Sequence, residues 1–177
     1  MEILLTKEVF NRDDRITMEK KVMINIKSAH FQPSEEYFAG AAVDVFSAEN
    51  LDSVSAQRID IDYEGVLKAD KKRVELVYGE SELTGMEGAT TSIAFERDNP
   101  GLVTMSRAGT VSAMLCFEAG ERIISSQAAE NMEITLVIET YELENSLGDE
   151  GGELKIRYGI EFRGSLVERV LMHVVVR

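Results

Sequence analysis

Residues 73–126 read RVELVYGESELTGMEGATTSIAFERDNPGLVTMSRAGTVSAMLCFEAGERIISS, and this stretch decides the fold. Apolar and polar residues alternate along it in runs of about four to eight, the pattern of half-buried β-strands. Turn residues separate the runs, and Asp98-Asn99-Pro100-Gly101 gives the clearest turn signal, because proline fixes one backbone dihedral and glycine accepts a positive φ. The stretch therefore predicts short antiparallel strands joined by hairpin turns.

The same alternation continues on both sides of this stretch. Upstream it marks residues 22–26 and 58–66, and downstream it marks residues 132–139, 154–162 and 170–176. The chain thus carries about eight to nine strands with no helices alternating between them. Closing such a sheet on itself buries one apolar face of each strand and removes exposed edges. The predicted fold class is an all-β antiparallel barrel, and a two-sheet sandwich is the alternative.

One segment departs from the strand pattern. Pro33 ends the first clear strand, and Ser34 followed by two glutamates is typical of a helix N-terminus. We therefore expect a helical insertion near residues 34–50. It would form part of a longer insertion or lid at residues 31–57.

The composition fits a single globular domain. Hydrophobic residues make up 44% of the chain and charged residues 29%, which is ordinary for such domains. A chain of 177 residues can bury one sizeable core, so we assign residues 1–177 to one β-barrel domain. Residues 1–17 precede the first clear strand and are expected to be an appendage, with Met18 as an alternative start.

The charge excludes several classes of partner. With 19 Lys and Arg residues against 32 Asp and Glu residues, the formal net charge is −13. Nucleic acids and anionic membrane surfaces would be repelled.

No apolar run approaches the roughly 20 residues of a membrane-spanning helix, and the N-terminus lacks the apolar core of a secretory signal. Cys116 is the single cysteine, so we expect a cytoplasmic protein without an internal disulfide.

Three segments carry a family resemblance: YGESELTGMEGATTSI, VTMSRAGTVSAMLCFEAGERIISS and GGELKIRYGIEF. In their order and turn positions they resemble the YwiB-like family of uncharacterised bacterial proteins, over residues 21–26 and 58–176. The resemblance implies a lipocalin-like, or calycin-like, barrel and implies no activity. The chain departs from the family at residues 125–131, which read SSQAAEN where family members usually have a Tyr-x-Thr-Pro-Tyr-Gly segment.

Residue types that carry catalysis or bind metals are few. A nucleophile needs a base within hydrogen-bonding distance, and the sequence does not bring His30, His173 and Cys116 together. His173 is expected to face outward from the last strand. The loop at residues 80–88 holds three glutamates that could gather calcium, but it lacks the spacing of a known calcium loop, which favours a solvated acidic loop. We predict no catalytic residue, no metal site and no cofactor.

The interior of the predicted barrel is the best candidate for a binding site. Six aromatic residues fall on apolar strand faces, where they would fill the core or line a cavity for one small ligand: Tyr63, Tyr78, Phe95, Phe117, Tyr158 and Phe162. Arg107 shares a strand face with Val103 and Met105, where its cation would meet a ligand carboxylate or a neighbouring glutamate. We predict a ligand-binding site formed by Arg107, Tyr63, Tyr78, Phe117 and Tyr158.

Two functions from different classes fit these observations. The leading hypothesis is a non-enzymatic cytoplasmic barrel that binds a small, partly apolar ligand in its interior. The alternative is a protein-interaction module that uses a filled barrel as a scaffold, with residues 31–57 or the 80–88 loop as its contact surface. A homodimer is compatible with either hypothesis. An interior cavity would favour the first and a packed interior the second.

Overall fold

The computed structural model describes residues 7–10, 16–32, 56–129 and 132–177. The predicted helical insertion near 34–50, and most of the 31–57 segment, lie outside these residues. No helix in the described part of the chain is long and apolar enough to cross a membrane. The described chain is almost entirely β-strand, with a short 3-10 turn at Glu82–Thr84.

Eleven antiparallel strands form a single sheet in the described residues. They are β1 (Lys7–Phe10), β2 (Ile16–Phe31), β3 (Gln57–Ala69), β4 (Arg73–Gly79), β5 (Thr90–Glu96), β6 (Asn99–Ala108), β7 (Val111–Glu118), β8 (Arg122–Ala129), β9 (Met132–Asn145), β10 (Gly152–Phe162) and β11 (Ser165–Val176). Each strand from β3 to β11 pairs with its sequence neighbours, and β1 pairs with the beginning of β2.

Strand β2 closes the sheet into a barrel. Ile24 is paired with Tyr63 of β3 on one side and with Val176 of β11 on the other. The predicted all-β antiparallel barrel is therefore confirmed, and the two-sheet sandwich was the wrong alternative. Ten strands, β2 to β11, close the barrel, rather than the eight to nine predicted. Strand β8 is easily missed in sequence, because its Ser-Ser-Gln-Ala-Ala segment has no alternating apolar face.

The barrel interior is tightly filled at one end, which we call the packed end. Alternate residues of each strand point inward there, as the pleat of a β-strand requires. Fully or almost fully buried apolar side chains from eight strands meet at this end, among them Val22, Ile24, Leu67, Val74, Leu76, Ile93, Val103, Phe117, Leu154 and Val174. This cluster supplies the hydrophobic core that holds the barrel together.

The last hairpin shows how register sets the inward face. Ile156 is paired with Met172 and Tyr158 with Val170, which is the hairpin that the sequence predicted. The register shifts between Ile160 and Glu161, one step before the turn. Beyond this bulge Phe162 is only half-buried and lies against the guanidinium of Arg163, 5.0 Å from the ring centre. The prediction that Phe162 fills the interior was therefore wrong.

Two loops meet at the opposite end of the barrel, which we call the hollow end. The 80–88 loop follows β4, and Gly109 begins the turn after β6. Gly109 has a φ of 127°, and a Cβ placed on it would lie 2.4 Å from the carbonyl oxygen of Gly88. The Thr110 hydroxyl donates a hydrogen bond to the Glu87 carbonyl at 2.8 Å. Glycine at position 109 thus allows the turn to pack directly on the 80–88 loop.

Candidate functional site

A cavity of about 240 Å³ occupies the hollow end of the barrel. Its apolar wall includes Ile26, Ile59, Ile61, Leu136, Val170 and Met172. The polar side chains on its wall include Ser28, His30, Tyr63, Tyr78, Glu80, Thr84, Arg107, Gln127 and Tyr158. A mostly apolar cavity with a few convergent polar groups is the usual form of a small-molecule site.

Glu80 is the most deeply buried charged group in this cavity wall, and its side chain is only 2% exposed. The Thr91 hydroxyl donates a hydrogen bond to its Oε1 at 2.5 Å. Its Oε2 accepts hydrogen bonds from Thr84 at 3.1 Å and from the Tyr63 phenol at 3.3 Å. Burying a carboxylate is costly unless it is paired and hydrogen-bonded. The prediction of a solvated acidic loop was therefore wrong for Glu80.

Arg107 provides the positive charge that faces Glu80. Its Nε donates to Glu80 Oε1 at 3.4 Å, and one terminal nitrogen donates to the sulfur of Met105 at 3.4 Å. A guanidinium has five N–H donors, so three of them have no partner among the described residues. The side chain is 19% exposed, and it lines the cavity. Of the two partners expected for Arg107 from the sequence, a ligand carboxylate or a neighbouring glutamate, the structure shows the glutamate.

Three tyrosines surround this ion pair or lie close to it. Tyr63 and Tyr78 pack ring to ring with their centres 4.7 Å apart. Burial is the main cause that raises the pKa of both phenols, and the negative charge of Glu80 adds to it. Burial also raises the pKa of Tyr158 to about 12, an effect that Glu168 increases and Arg107 opposes. All three phenols therefore remain neutral hydrogen-bonding groups near neutral pH.

Four of the five predicted site residues line the cavity, namely Arg107, Tyr63, Tyr78 and Tyr158. Phe117, the fifth, does not line it. Its ring is fully buried and packs edge to face on Tyr158, with the ring centres 4.9 Å apart. Phe117 therefore packs against the cavity-lining Tyr158 without lining the cavity itself.

A second polar cluster lines the same cavity and was missed in the sequence. Ser28 and His30 lie two residues apart on β2, so both point inward. The Ser28 hydroxyl lies 3.1 Å from His30 Nε2. His30 Nδ1 lies 3.2 Å from an oxygen of Glu168 on β11. The i, i+2 spacing of Ser28 and His30 was a usable signal, but Glu168 is brought to them only by the pairing of β2 with β11.

The other residues weighed for chemistry lie elsewhere. Cys116 is half-buried, and the inward residues Leu115 and Phe117 flank it on β7, so it lies on the outer face. His173 lies on the outer face of β11 as expected, although it is half-buried rather than exposed. Its Nε2 lies 2.9 Å from Glu153, a contact that lowers the pKa of the Glu153 carboxyl. Neither residue belongs to the cavity wall.

The acidic loop does not gather its carboxylates around one point. Glu82 and Glu87 are exposed, while Glu80 points into the barrel. The described residues contain no group of three or more His, Cys, Asp or Glu side chains positioned to hold a metal ion.

Comparison with protein families identifies the chain. Residues 46–174 match the family described as "Domain of unknown function (DUF1934)". The chain belongs to this family. The match begins before β3 and ends within β11, so it covers most of the barrel and every cavity residue outside β2.

Comparison with solved structures gives the same fold. The chain is similar to the "Crystal structure of ywiB protein from Bacillus subtilis", with a TM-score of 0.65 over 89% of this chain and 92% of that chain. The two sequences are 16% identical, so the likeness is one of fold alone. Together with the family match, this shared fold confirms the predicted resemblance to the YwiB-like family. No curated protein matches the sequence.

Proposed function

We propose that the barrel binds one small, partly apolar ligand in the cavity at its hollow end. The observation that carries this proposal is the polar cluster around Glu80 and Arg107 in the wall of a cavity whose remaining surface is mainly apolar. A buried ion pair contributes little to stability compared with apolar residues of the same volume. A functional role explains why a β-barrel keeps such a pair beside a cavity.

The volume sets the size of the ligand. A cavity of about 240 Å³ has room for about eight water molecules, since each takes about 30 Å³ of liquid. It lies just below the range of about 300–1,000 Å³ that is typical of drug-sized ligands. The ligand is therefore a small metabolite of roughly eight non-hydrogen atoms.

Arg107 selects the polar group of the ligand. The three N–H donors that have no partner among the described residues form part of a planar fork that matches the two oxygens of a carboxylate. Apolar side chains such as Ile59, Ile61 and Met172 would cover the rest of the molecule. A short-chain carboxylic acid has both the carboxylate and the apolar chain that this site would bind. We place this binding function in the cytoplasm.

A second candidate function is protein interaction through the 80–88 loop. Leu83 favours it, because this apolar side chain of the loop is 75% exposed. A partner would then bind outside the barrel, or a second copy of this chain would form a homodimer. This candidate needs no ligand inside.

Binding of hexanoate tests the leading proposal, with hexanol as the uncharged comparison. Hexanoate should raise the melting temperature of the protein in a saturable way, because a ligand that binds only the folded state stabilises it. Hexanol should have a smaller effect at the same concentration. Arg107→Ala should weaken hexanoate binding about 10-fold or more, because a charge-assisted hydrogen bond contributes about 1.5–3 kcal/mol.

Arg73→Ala is the matched control for Arg107→Ala. Arg73 is exposed, lies at the packed end and contacts Glu75 and Glu96, so its removal changes the net charge equally without touching the cavity. Hexanoate binding should be the same in this variant as in the unmodified protein. Equal weakening in both variants, or no saturable shift in the unmodified protein, would overturn the proposal.

A further inference from the structure

Ser28 and His30 line the cavity, and Glu168 makes a close polar contact with His30 from β11. The Ser28 hydroxyl lies 3.1 Å from His30 Nε2, and His30 Nδ1 lies 3.2 Å from Glu168. With the ring proton on Nδ1, His30 accepts a hydrogen bond from Ser28 at Nε2, and its Nδ1 faces the Glu168 carboxylate. This is the arrangement in which a histidine can take a proton from a serine while a carboxylate holds the ring in place.

Burial separates the roles of the three residues. The Ser28 side chain is almost fully buried, and both Ser28 and His30 line the cavity. Glu168 is partly exposed at the far side of the imidazole. A small molecule inside the cavity would therefore meet the serine and the histidine, and Glu168 would act on it only through His30.

The Arg107 cation belongs to the same site. The charges of Arg107 and Glu168 both act on the phenol of Tyr158, with opposite effects on its pKa. The cavity thus combines a serine, a base with its carboxylate partner, and a cation with N–H donors that no residue in the described part of the chain accepts. A cation of this kind favours the negative charge that develops on a carbonyl oxygen during acyl transfer.

We propose that Ser28 is the nucleophile of an acyl-transfer site, with His30 as its general base and Glu168 as the positioning residue. The substrate class is a small ester or thioester with a short apolar acyl chain. The inference rests on the proposed function, because the substrate must enter the cavity proposed there as a binding site. It adds a reaction to that binding site.

The reaction balances without any further cofactor. The Ser28 oxygen forms a bond to the carbonyl carbon, and its proton passes to His30 Nε2. The bond between that carbon and the leaving oxygen or sulfur then breaks, and the leaving group takes the proton from His30 as an alcohol or thiol. Water attacks the acyl-serine with the same proton transfers in the same order, and this releases the carboxylic acid and restores Ser28.

A fluorophosphonate probe tests the nucleophile directly, since it phosphonylates only activated serines. We expect one adduct per chain, which peptide mapping places on Ser28. His30→Gln and Glu168→Gln should each slow the labelling on the order of 100-fold, because a general base and its partner contribute factors of this size. p-Nitrophenyl butyrate should be hydrolysed by the unmodified protein and not by Ser28→Ala.

Ser126→Ala is the matched control, because Ser126 is an exposed serine on β8. Its labelling and hydrolysis should equal those of the unmodified protein. Glu168→Gln should still bind hexanoate in a saturable way, which separates slower chemistry from a damaged cavity. Lack of an adduct on Ser28 in the unmodified protein, or labelling that is independent of His30, would overturn the proposal.

Hexanoate binding distinguishes a failure of the acyl-transfer proposal from a failure of the ligand-binding function proposed above. If hexanoate binds and Ser28 is not labelled, the cavity is a binding site alone and the acyl-transfer proposal is wrong. If neither hexanoate nor the probe binds, both proposals are wrong.

Discussion

The two ends of the barrel are built from the same strands and differ in what those strands place inside. On β3, Leu67 is fully buried at the packed end, whereas Ile61 faces the cavity at the hollow end. On β2, Ile24 is fully buried, and the inward residues that follow it at the hollow end include Ser28 and His30. The core cluster of the packed end is hydrophobic, whereas the hollow end holds the Glu80–Arg107 pair and the Ser28–His30 pair.

This difference separates the requirements of folding from those of function. The packed end contains the large, fully buried side chains that drive folding. The hollow end leaves volume unfilled and buries the Glu80–Arg107 pair, and both features lower stability relative to a packed apolar core. Natural proteins depart from good packing mainly at functional sites, which is why we assign function to the hollow end.

The largest expected effect comes from truncating one inward side chain at each end of strand β3. Leu67→Ala should lower the free energy of unfolding by about 2–5 kcal/mol, because it opens a new cavity in a filled core. Ile61→Ala should cost clearly less, since its side chain already borders empty space and loses fewer contacts. Urea unfolding of both variants measures the difference. Equal losses would mean that the interior is uniformly packed.

A smaller effect should follow from removing the buried carboxylate. Glu80→Ala should lower the free energy of unfolding by about 3 kcal/mol, because it leaves the Arg107 charge and the Thr91 hydroxyl without their acceptor. Glu82→Ala, an exposed glutamate of the same loop, is the matched control. The free energy of unfolding of Glu82→Ala should stay within about 0.5 kcal/mol of that of the unmodified protein. A similar small change for Glu80→Ala would show that its cluster is solvated.

The smallest of these effects is an alkaline loss of stability caused by Tyr158. Its pKa is raised from 10.0 to about 12 in the folded protein. The stability that the neutral Tyr158 phenol contributes is therefore complete below pH 10 and is lost as pH rises toward 12. Only the unfolded chain ionises within that window, which favours unfolding. The unmodified protein should therefore lose about 2 kcal/mol relative to Tyr158→Phe between these pH values.

Denaturant unfolding at several alkaline pH values gives the comparison for Tyr158. The two stability curves should run parallel below pH 10 and approach or cross above it. Parallel curves over the whole range would mean that water reaches the Tyr158 phenol, and that the hollow end is open rather than buried.

The sequence predicted the barrel and most of its cavity wall for local reasons. Alternation identifies the inward residues of each strand, so the pattern alone was enough to place Tyr63, Tyr78, Tyr158 and Arg107 inside. Phe162 was misplaced because the bulge after Ile160 leaves no mark in the sequence.

The polar clusters could not be predicted because they join distant parts of the chain. Glu80 lies in a loop that reads as solvated, and its burial depends on Thr91 and Arg107 from two other strands. Glu168 meets His30 only through the register of β11 on β2. Periodicity reports which face a residue occupies, whereas these contacts depend on strand order around the barrel.

Native mass spectrometry of the purified protein, beside its denatured mass, tests the central claim most directly. Our account predicts an excess mass that is lost on denaturation, or, after hexanoate is added to a protein that carries none, one bound hexanoate per chain. The excess should be much reduced in Arg107→Ala. A mass equal to that of the bare chain under both conditions would contradict a ligand-binding hollow end, and a mass equal to that of two bare chains would do so and favour the interaction function.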